Sequence, residues 1–264
     1  MADIIQRLNC IETPAGYVLT WDIADGVEIA RTTVYGLNDA REFIIESPLI
    51  TTGRCVIGPE HYAMLTGFKV SVVSRDGEVE VSEPITPQRM VKHERLLLKD
   101  MRHRAAVYMK SSPIGSYPCT LLLRRIDGPA CHLCGSTVCS GRGGEAVSDY
   151  CPECLGTGIE DPFYVYPEKE LLHGISPRDD QDISQPAVQR SHIVRSFQSI
   201  FDLQLKTGDV FVTGQEVYRV AEQSIPASVG NVPVYYNLTV IKYAPEDPRY
   251  KRFMSLAYGG CDYA

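Results

Sequence analysis

Gly16-Tyr17-Val18-Leu19-Thr20-Trp21-Asp22-Ile23 alternates, with Val18, Thr20 and Asp22 on one side and Leu19, Trp21 and Ile23 on the other. A period of two is that of a half-buried strand. Trp21, the only tryptophan in the chain, is its expected core anchor. Outward from this stretch, further strands are predicted at 28–35, 42–45, 68–73 and 78–85, with Arg75-Asp76-Gly77 as the hairpin turn between the last two. No segment of helical period interrupts them. Residues 1–86 therefore read as one small β-sandwich.

The whole chain has 264 residues, a length that suits about two domains. Its 44% apolar and 22% charged content is that of an ordinary globular protein. Residues 1–7 contain no apolar core of a signal peptide, and no uninterrupted apolar run reaches the length of a membrane span, so neither export nor a membrane location is expected. The net charge of −7 conceals a segregation. Residues 1–86 carry 6 Lys/Arg against 13 Asp/Glu, residues 87–126 carry 9 against 2, and residues 127–264 carry 11 against 18. The basic charge is thus gathered in the middle of the chain, where it is either a solvated helix face or a surface for an acidic partner or nucleic acid.

Thr86-Pro87 reads as an N-cap followed by proline at the first helical position. The helix expected from there to about residue 110 places Met90, Leu97, Met101, Ala105 and Tyr108 on one apolar stripe. Arg89, Lys92, Arg95, Lys99, Arg102 and Arg104 fall largely off that stripe and are the candidate partner-binding residues. This basic helix and linker occupy residues 87–118.

The strongest chemical signal is Cys131-His132-Leu133-Cys134-Gly135, followed after a polar loop by Cys151-Pro152-Glu153-Cys154-Leu155-Gly156-Thr157-Gly158. The pattern C-x2-C-x16-C-x2-C has the spacing of a four-thiolate zinc site. Two intervening residues let one tight turn aim both sulfurs at a single tetrahedral ion. A glycine after each pair can take positive φ and let backbone N–H groups approach the sulfurs. Cys131, Cys134, Cys151 and Cys154 are the expected ligands of one structural Zn2+, and four thiolates leave no open position for a catalytic water. Cys139 and His132 are the possible substitutes. The other cysteines are scattered, which suits free thiols in a reducing compartment better than a disulfide framework.

The zinc module, residues 119–173, sits between an expected strand over 119–126 and another over 163–166. Residues 174–191 are polar and read as an exposed loop. Residues 192–248 hold at least four short strands, separated by Lys206-Thr207-Gly208 and by a turn at 226–231, and predict a small β-barrel or sandwich. Residues 249–264 are read as a C-terminal tail. The chain contains no G-x-S-x-G, H-E-x-x-H or P-loop, and the remaining histidines lack motif-spaced partners, so no enzymatic activity is expected.

Three resemblances add to these readings. Leu19-Thr20-Trp21, residues 65–70 and the closing Asp76 to Pro84 segment resemble a fibronectin type III or related immunoglobulin-like domain, with phenylalanine at position 68 where such domains usually carry tyrosine. Cys151 to Gly158 resembles one C-x-x-C-x-G-x-G knuckle of DnaJ-type zinc domains. The middle of the chain, with Glu94-Arg95-Leu96-Leu97-Leu98-Lys99, Leu121 to Arg125, the knuckle pair and Tyr164-Val165-Tyr166, is similar to virion structural proteins of tailed bacteriophages of the head-to-tail connector or neck type. Gly208 to Val212 and Tyr218-Arg219-Val220 resemble strands of small connector barrels. The last resemblance implies a non-enzymatic, ring-forming virion component assembled in the host cytoplasm. Its partners would be copies of itself and other neck or tail proteins, with nucleic acid not favoured. The alternatives are a tail or baseplate protein, a zinc-ribbon nucleic-acid-binding protein and a metalloenzyme.

Overall fold

The computed structural model describes residues 3–13, 16–39, 41–58, 65–87, 89–111, 119–133, 151, 153–166, 176–178, 194–199, 203–230 and 232–259. Among these residues the protein is mainly β, with fourteen strands in three sheets and two α-helices. The chain divides into two compact units, Met1–Met90 with Arg125–Tyr164, and Val91–Arg124 with Val165–Ala264. Among the described residues no helix is long and apolar enough to cross a membrane.

The first unit contains β1 (Ile5–Thr13), β2 (Gly16–Ile23), β3 (Ile29–Leu37), β4 (Glu42–Ile45), a 3-10 turn at Pro48–Thr52, β5 (Arg54–Ile57), β6 (Gly67–Ser74) and β7 (Val79–Val81). They form two antiparallel sheets, ordered β1-β2-β5 and β4-β3-β6-β7. One core joins Tyr17, Leu19 and Trp21 of the first sheet to Val34, Phe68 and Val70 of the second. Trp21 is fully buried, as its place in the alternation predicts. The Phe68 ring stands edge-on to Tyr17 at 5.8 Å. Gly16 opens β2 at φ 138°, with the space a Cβ would occupy only 2.0 Å from the Ile57 carbonyl oxygen, so only glycine fits. The β6–β7 hairpin closes as expected, with Gly77 at φ 87° and a Ser74 N–H to Glu78 carbonyl bond.

The helix starts later than Thr86-Pro87 suggests. The chain at residues 86, 87 and 89–91 is not helical, the Met90 N–H donates to the Glu12 carboxylate, and α1 spans Lys92–Ser111. Glu94 sets its first turn by accepting from the Val91 N–H, half of a capping box. The apolar stripe is also turned from the expected one. Leu98 is 1% exposed, and Glu94, Met101, Arg102 and Ala105 lie half-buried at helical spacing around it. Leu97 and Tyr108 are exposed instead.

The second unit continues with β8 (Thr120–Arg124), β9 (Phe163–Val165), at which the chain returns to it, β10 (Ser176–Arg178), β11 (Val194–Ser199), β12 (Val210–Thr213), β13 (Glu216–Val229) and β14 (Val232–Lys242). The sheet order is β10-β11-β14-β13-β12-β8-β9. The two strands that flank the cysteine-bearing excursion are therefore neighbours. The order is linear, and among the described residues no pairing joins its two ends. Phe197, Phe211 and Tyr218 stack and edge against one another at 5.0 to 5.4 Å and form the aromatic centre of its core. Asp209, 1% exposed, ties the start of β12 to β8 through the Arg124 N–H.

Three expectations are corrected in this unit. Residues 176–178, within the segment read as a loop, pair antiparallel with β11. β13 runs through Pro226 to Val229, so the hairpin turn is tighter than 226–231. Pro226 lies at a register shift between Ser224 and Ala227, where a missing N–H is tolerated. The tail contains a second helix, α2 (Pro248–Tyr258), whose start is marked by Asp247 accepting from the Arg249 N–H and by Pro248, and whose end is marked by Gly259 at φ 70°. The Tyr250 and Tyr258 hydroxyls donate to the carbonyls of Gln215 and Gly214 in the β12–β13 turn.

Candidate metal centre

The described part of the cysteine module folds from two short arms. Ala130 pairs antiparallel with Ile159, the Cys131 N–H donates to the Gly158 carbonyl at 3.0 Å, and the Glu160 N–H donates to Pro129. This puts Cys131 beside the turn that carries Cys151 and Cys154. That turn is wound tightly by Leu155 at φ 52°, Gly156 at φ 85° and Gly158 at φ 74°. Its carbonyls are taken up by Leu155 N–H to Cys151, and by the N–H and hydroxyl of Thr157 to Cys154. The arms are rooted in the first unit by the Ile126 N–H to the Thr51 carbonyl and by Arg75, which donates to the Gly128 carbonyl while paired with Glu28.

The sulfurs of Cys131, Cys151 and Cys154 all lie within 4.8 Å of one another, with Cys131 and Cys154 buried and Cys151 partly so. Cys131 and Cys151 are 3.7 Å apart. A tetrahedral ion with Zn–S bonds of about 2.3 Å spaces its sulfurs about 3.8 Å apart, whereas a disulfide needs about 2.05 Å. The donor set thus fits a soft or borderline ion such as Zn2+. The fourth expected ligand, Cys134, and the substitute Cys139 lie outside the described residues. His132 is turned elsewhere. Its Nε2 is 3.2 Å from Glu153 and its Nδ1 is 3.7 Å from Glu160, with the ring largely exposed.

The surroundings prepare the sulfurs unequally. Burial opposes ionisation of Cys151, but N–H groups of Cys154 and Glu153, with the Cys154 and Cys131 side chains, outweigh it and hold that thiol below its ordinary value. Burial pushes the Cys154 thiol up to about 11 even though the Gly158 and Gly156 N–H groups face it. Cys151 is therefore the first of these two to become a thiolate. The Gly156 and Gly158 contacts are the N–H approaches that the knuckle sequence predicts. Cys10, Cys55 and Cys119 differ in kind. They are core thiols, each pushed up to about 12 by burial.

The six candidate partner-binding cations do not share one surface. Arg89 precedes α1, and Arg102 turns inward, where its guanidinium donates to the Pro233 carbonyl at 2.8 Å. Lys92, Arg95, Lys99 and Arg104 are exposed on the helix, Arg104 beside Asp100 at 2.8 Å. Sequence reasoning missed Asp209, because a single buried polar side chain carries no periodicity, and it took Arg102 for a partner-binding cation where the structure turns it inward. No known protein family, no curated protein and no solved structure matches this chain.

Proposed function

We propose that this chain is a non-enzymatic structural component of a tailed-phage virion, a ring-forming protein of the neck or head-to-tail connector, in which a zinc ion locks the module at residues 125–164. The observation that carries the structural role of the metal is the convergence of the three described sulfurs, Cys131 and Cys154 buried and Cys151 partly so, between two arms held together by backbone hydrogen bonds. With Cys134 as the fourth ligand the thiolate set would be filled, offer a substrate no coordination position and couple metal binding to folding. The phage assignment rests on the resemblance of the basic helix, the Leu121 to Arg125 strand and the knuckle pair. The strand order of the first unit, with the first, second and fifth strands in one sheet and the fourth, third, sixth and seventh in the other, supports the immunoglobulin-like reading of residues 1–86. Such domains space or bind other proteins.

A zinc-ribbon nucleic-acid binder is the less favoured reading. The described surface beside the sulfurs carries Glu153, Glu160 and Asp161, which repel phosphate. Mass spectrometry and electron microscopy of purified virions from cells producing this chain test the proposal. Multiple copies per particle, in a ring at the neck, are the expected result. Particles lacking the chain overturn the virion role, and salt-dependent DNA binding by the purified protein would favour the alternative.

A further inference from the structure

The exposed large apolar side chains of the described residues are unevenly distributed. Val91, Leu96, Leu97, Val107 and Tyr108 lie on or just before α1, and Ile44, Val79 and Val81 lie on the outer face of the four-stranded sheet. Singly exposed apolar residues need no explanation, but apolar residues gathered on one face mark a contact surface.

On α1 the inward line runs through Glu94, Leu98, Met101, Arg102 and Ala105. At 100° per residue the opposite face carries Lys92, Leu96, Lys99, Asp100, His103 and Val107, all exposed, with Leu97, Arg104 and Tyr108 on its flank. The helix as a whole carries six Lys/Arg against two acidic residues. This is a basic apolar face.

The second patch has the opposite charge. Ser71 pairs with Val81 and Val73 with Val79, so Val73, Val79 and Val81 share the outward face of β6 and β7, and Glu80 between the valines turns inward to accept the Ile4 and Ile5 N–H groups. Exposed Asp76, Glu78 and Glu83 border the valines and outnumber the exposed Arg31, which stands opposite Val73 on the same face. β7 is also the edge of its sheet, with no strand beyond it among the described residues.

Two patches that differ in sequence, complement each other in charge and sit one on each compact unit are what a head-to-tail contact requires, since a heterologous interface joins two different surfaces of one chain. We infer that the outward face of α1 in one copy packs on the outer face of β6–β7 in the next, with Leu96 against Val79 and Val81, and Lys92 and Lys99 toward Glu78 and Glu83. This rests on the ring-forming reading above and names the surfaces that close the ring. A second copy is the occupant because each patch finds its complement in charge and polarity on the same chain.

The test is the native mass of the full-length protein and of three variants. Wild type is expected as a ring-sized oligomer. Lys92→Glu with Lys99→Glu, and separately Glu78→Lys with Glu83→Lys, are expected to run as monomers, each with the far-ultraviolet circular dichroism of the wild type. The chain carrying all four changes restores opposite charges across the contact and is expected to regain the oligomer. An unchanged oligomer in either charge-reversed pair overturns the inference while leaving the ring reading in place. So does a four-fold variant that keeps the wild-type circular dichroism yet stays monomeric. A wild type that is monomeric at every concentration overturns both.

Discussion

The Sγ atoms of Cys131 and Cys151 stand 3.7 Å apart although twenty positions separate them in sequence, too far for a disulfide and at the edge length of a zinc–thiolate tetrahedron. Among the described residues the arms that carry them are joined by short backbone pairings, and the ion would supply much of what holds this module closed. Purified protein is expected to contain one zinc per chain, and Cys151→Ala or Cys154→Ala to lose it. Chelation should raise amide exchange across residues 125–133 and 153–164 and leave β12 to β14 protected. Full zinc content in both alanine variants would show that these sulfurs do not hold the ion.

The core thiols give a second, independent expectation. With values near 12, Cys10, Cys55 and Cys119 are thiolate in only about one molecule in ten thousand at pH 8, so a native-state alkylating reagent should pass them by. After chelation Cys151 should be modified before Cys154, because its thiol is held below the ordinary value while that of Cys154 is pushed up to about 11. The same burial sets a pH dependence. In the unfolded chain these thiols ionise near 9.0, whereas in the folded chain they hold their protons to about 12, so between those values the folded state binds more protons and stability falls as pH rises. Urea midpoints of wild type and a Cys10→Val, Cys55→Val variant at pH 8 and pH 10.5 measure it. The variant should lose less, and equal losses would rule out these two thiols as the cause.

How far the sequence could be read followed from how much of each signal is periodic. The alternation of β2 shows its strand and the burial of Trp21, although Val18 and Thr20 on the other face are buried too and the strand is not half-buried, and the knuckle spacing points to three sulfurs that do meet. β1 escaped because Arg7, at φ 49°, sits in a register shift between Gln6 and Asn9 that breaks the alternation. β5 is four residues long and begins with a fully buried arginine, which reads as surface. The α2 helix was marked by Asp247, Pro248 and Gly259, but its aromatic and basic side chains drew the reading toward a tail. Three successive leucines on α1 left the phase of its stripe undetermined, since a slip of one position turns a helix by about 100°.

That phase is directly testable. Leu98 is 1% exposed and Leu97 49%. Leu98→Ala should cost about 2 to 5 kcal/mol through lost burial and the cavity left behind. Leu97→Ala should stay within about 0.5 kcal/mol of wild type. Urea denaturation of the second unit, followed by a probe such as its tyrosine signal, compares the two. A larger loss at Leu97 would restore the stripe that the sequence suggested and refute the packing of α1 described above.

Asp209 is the polar counterpart of this test. One carboxylate oxygen accepts from the Arg124 N–H at 2.9 Å and the other from the Lys206 N–H at 2.6 Å, and its own backbone is bonded to Lys206 and Val220. The side chain is thus a clasp between β8 and the loop that leads into β12, two segments 85 positions apart. Alanine there leaves both N–H groups without their acceptor, and because hydrogen bonds to charged groups contribute about 1.5 to 3 kcal/mol each, Asp209→Ala should lose about 2 to 4 kcal/mol after partial rehydration. Asn keeps one acceptor oxygen and should recover roughly half of that loss. Amide exchange adds a local readout, with the Arg124 amide protected in wild type, faster in the Asn variant and fastest in the Ala variant. If the Ala variant matched wild type in both stability and Arg124 protection, the clasp would contribute nothing, and β8 would be held in the sheet by its strand pairing alone.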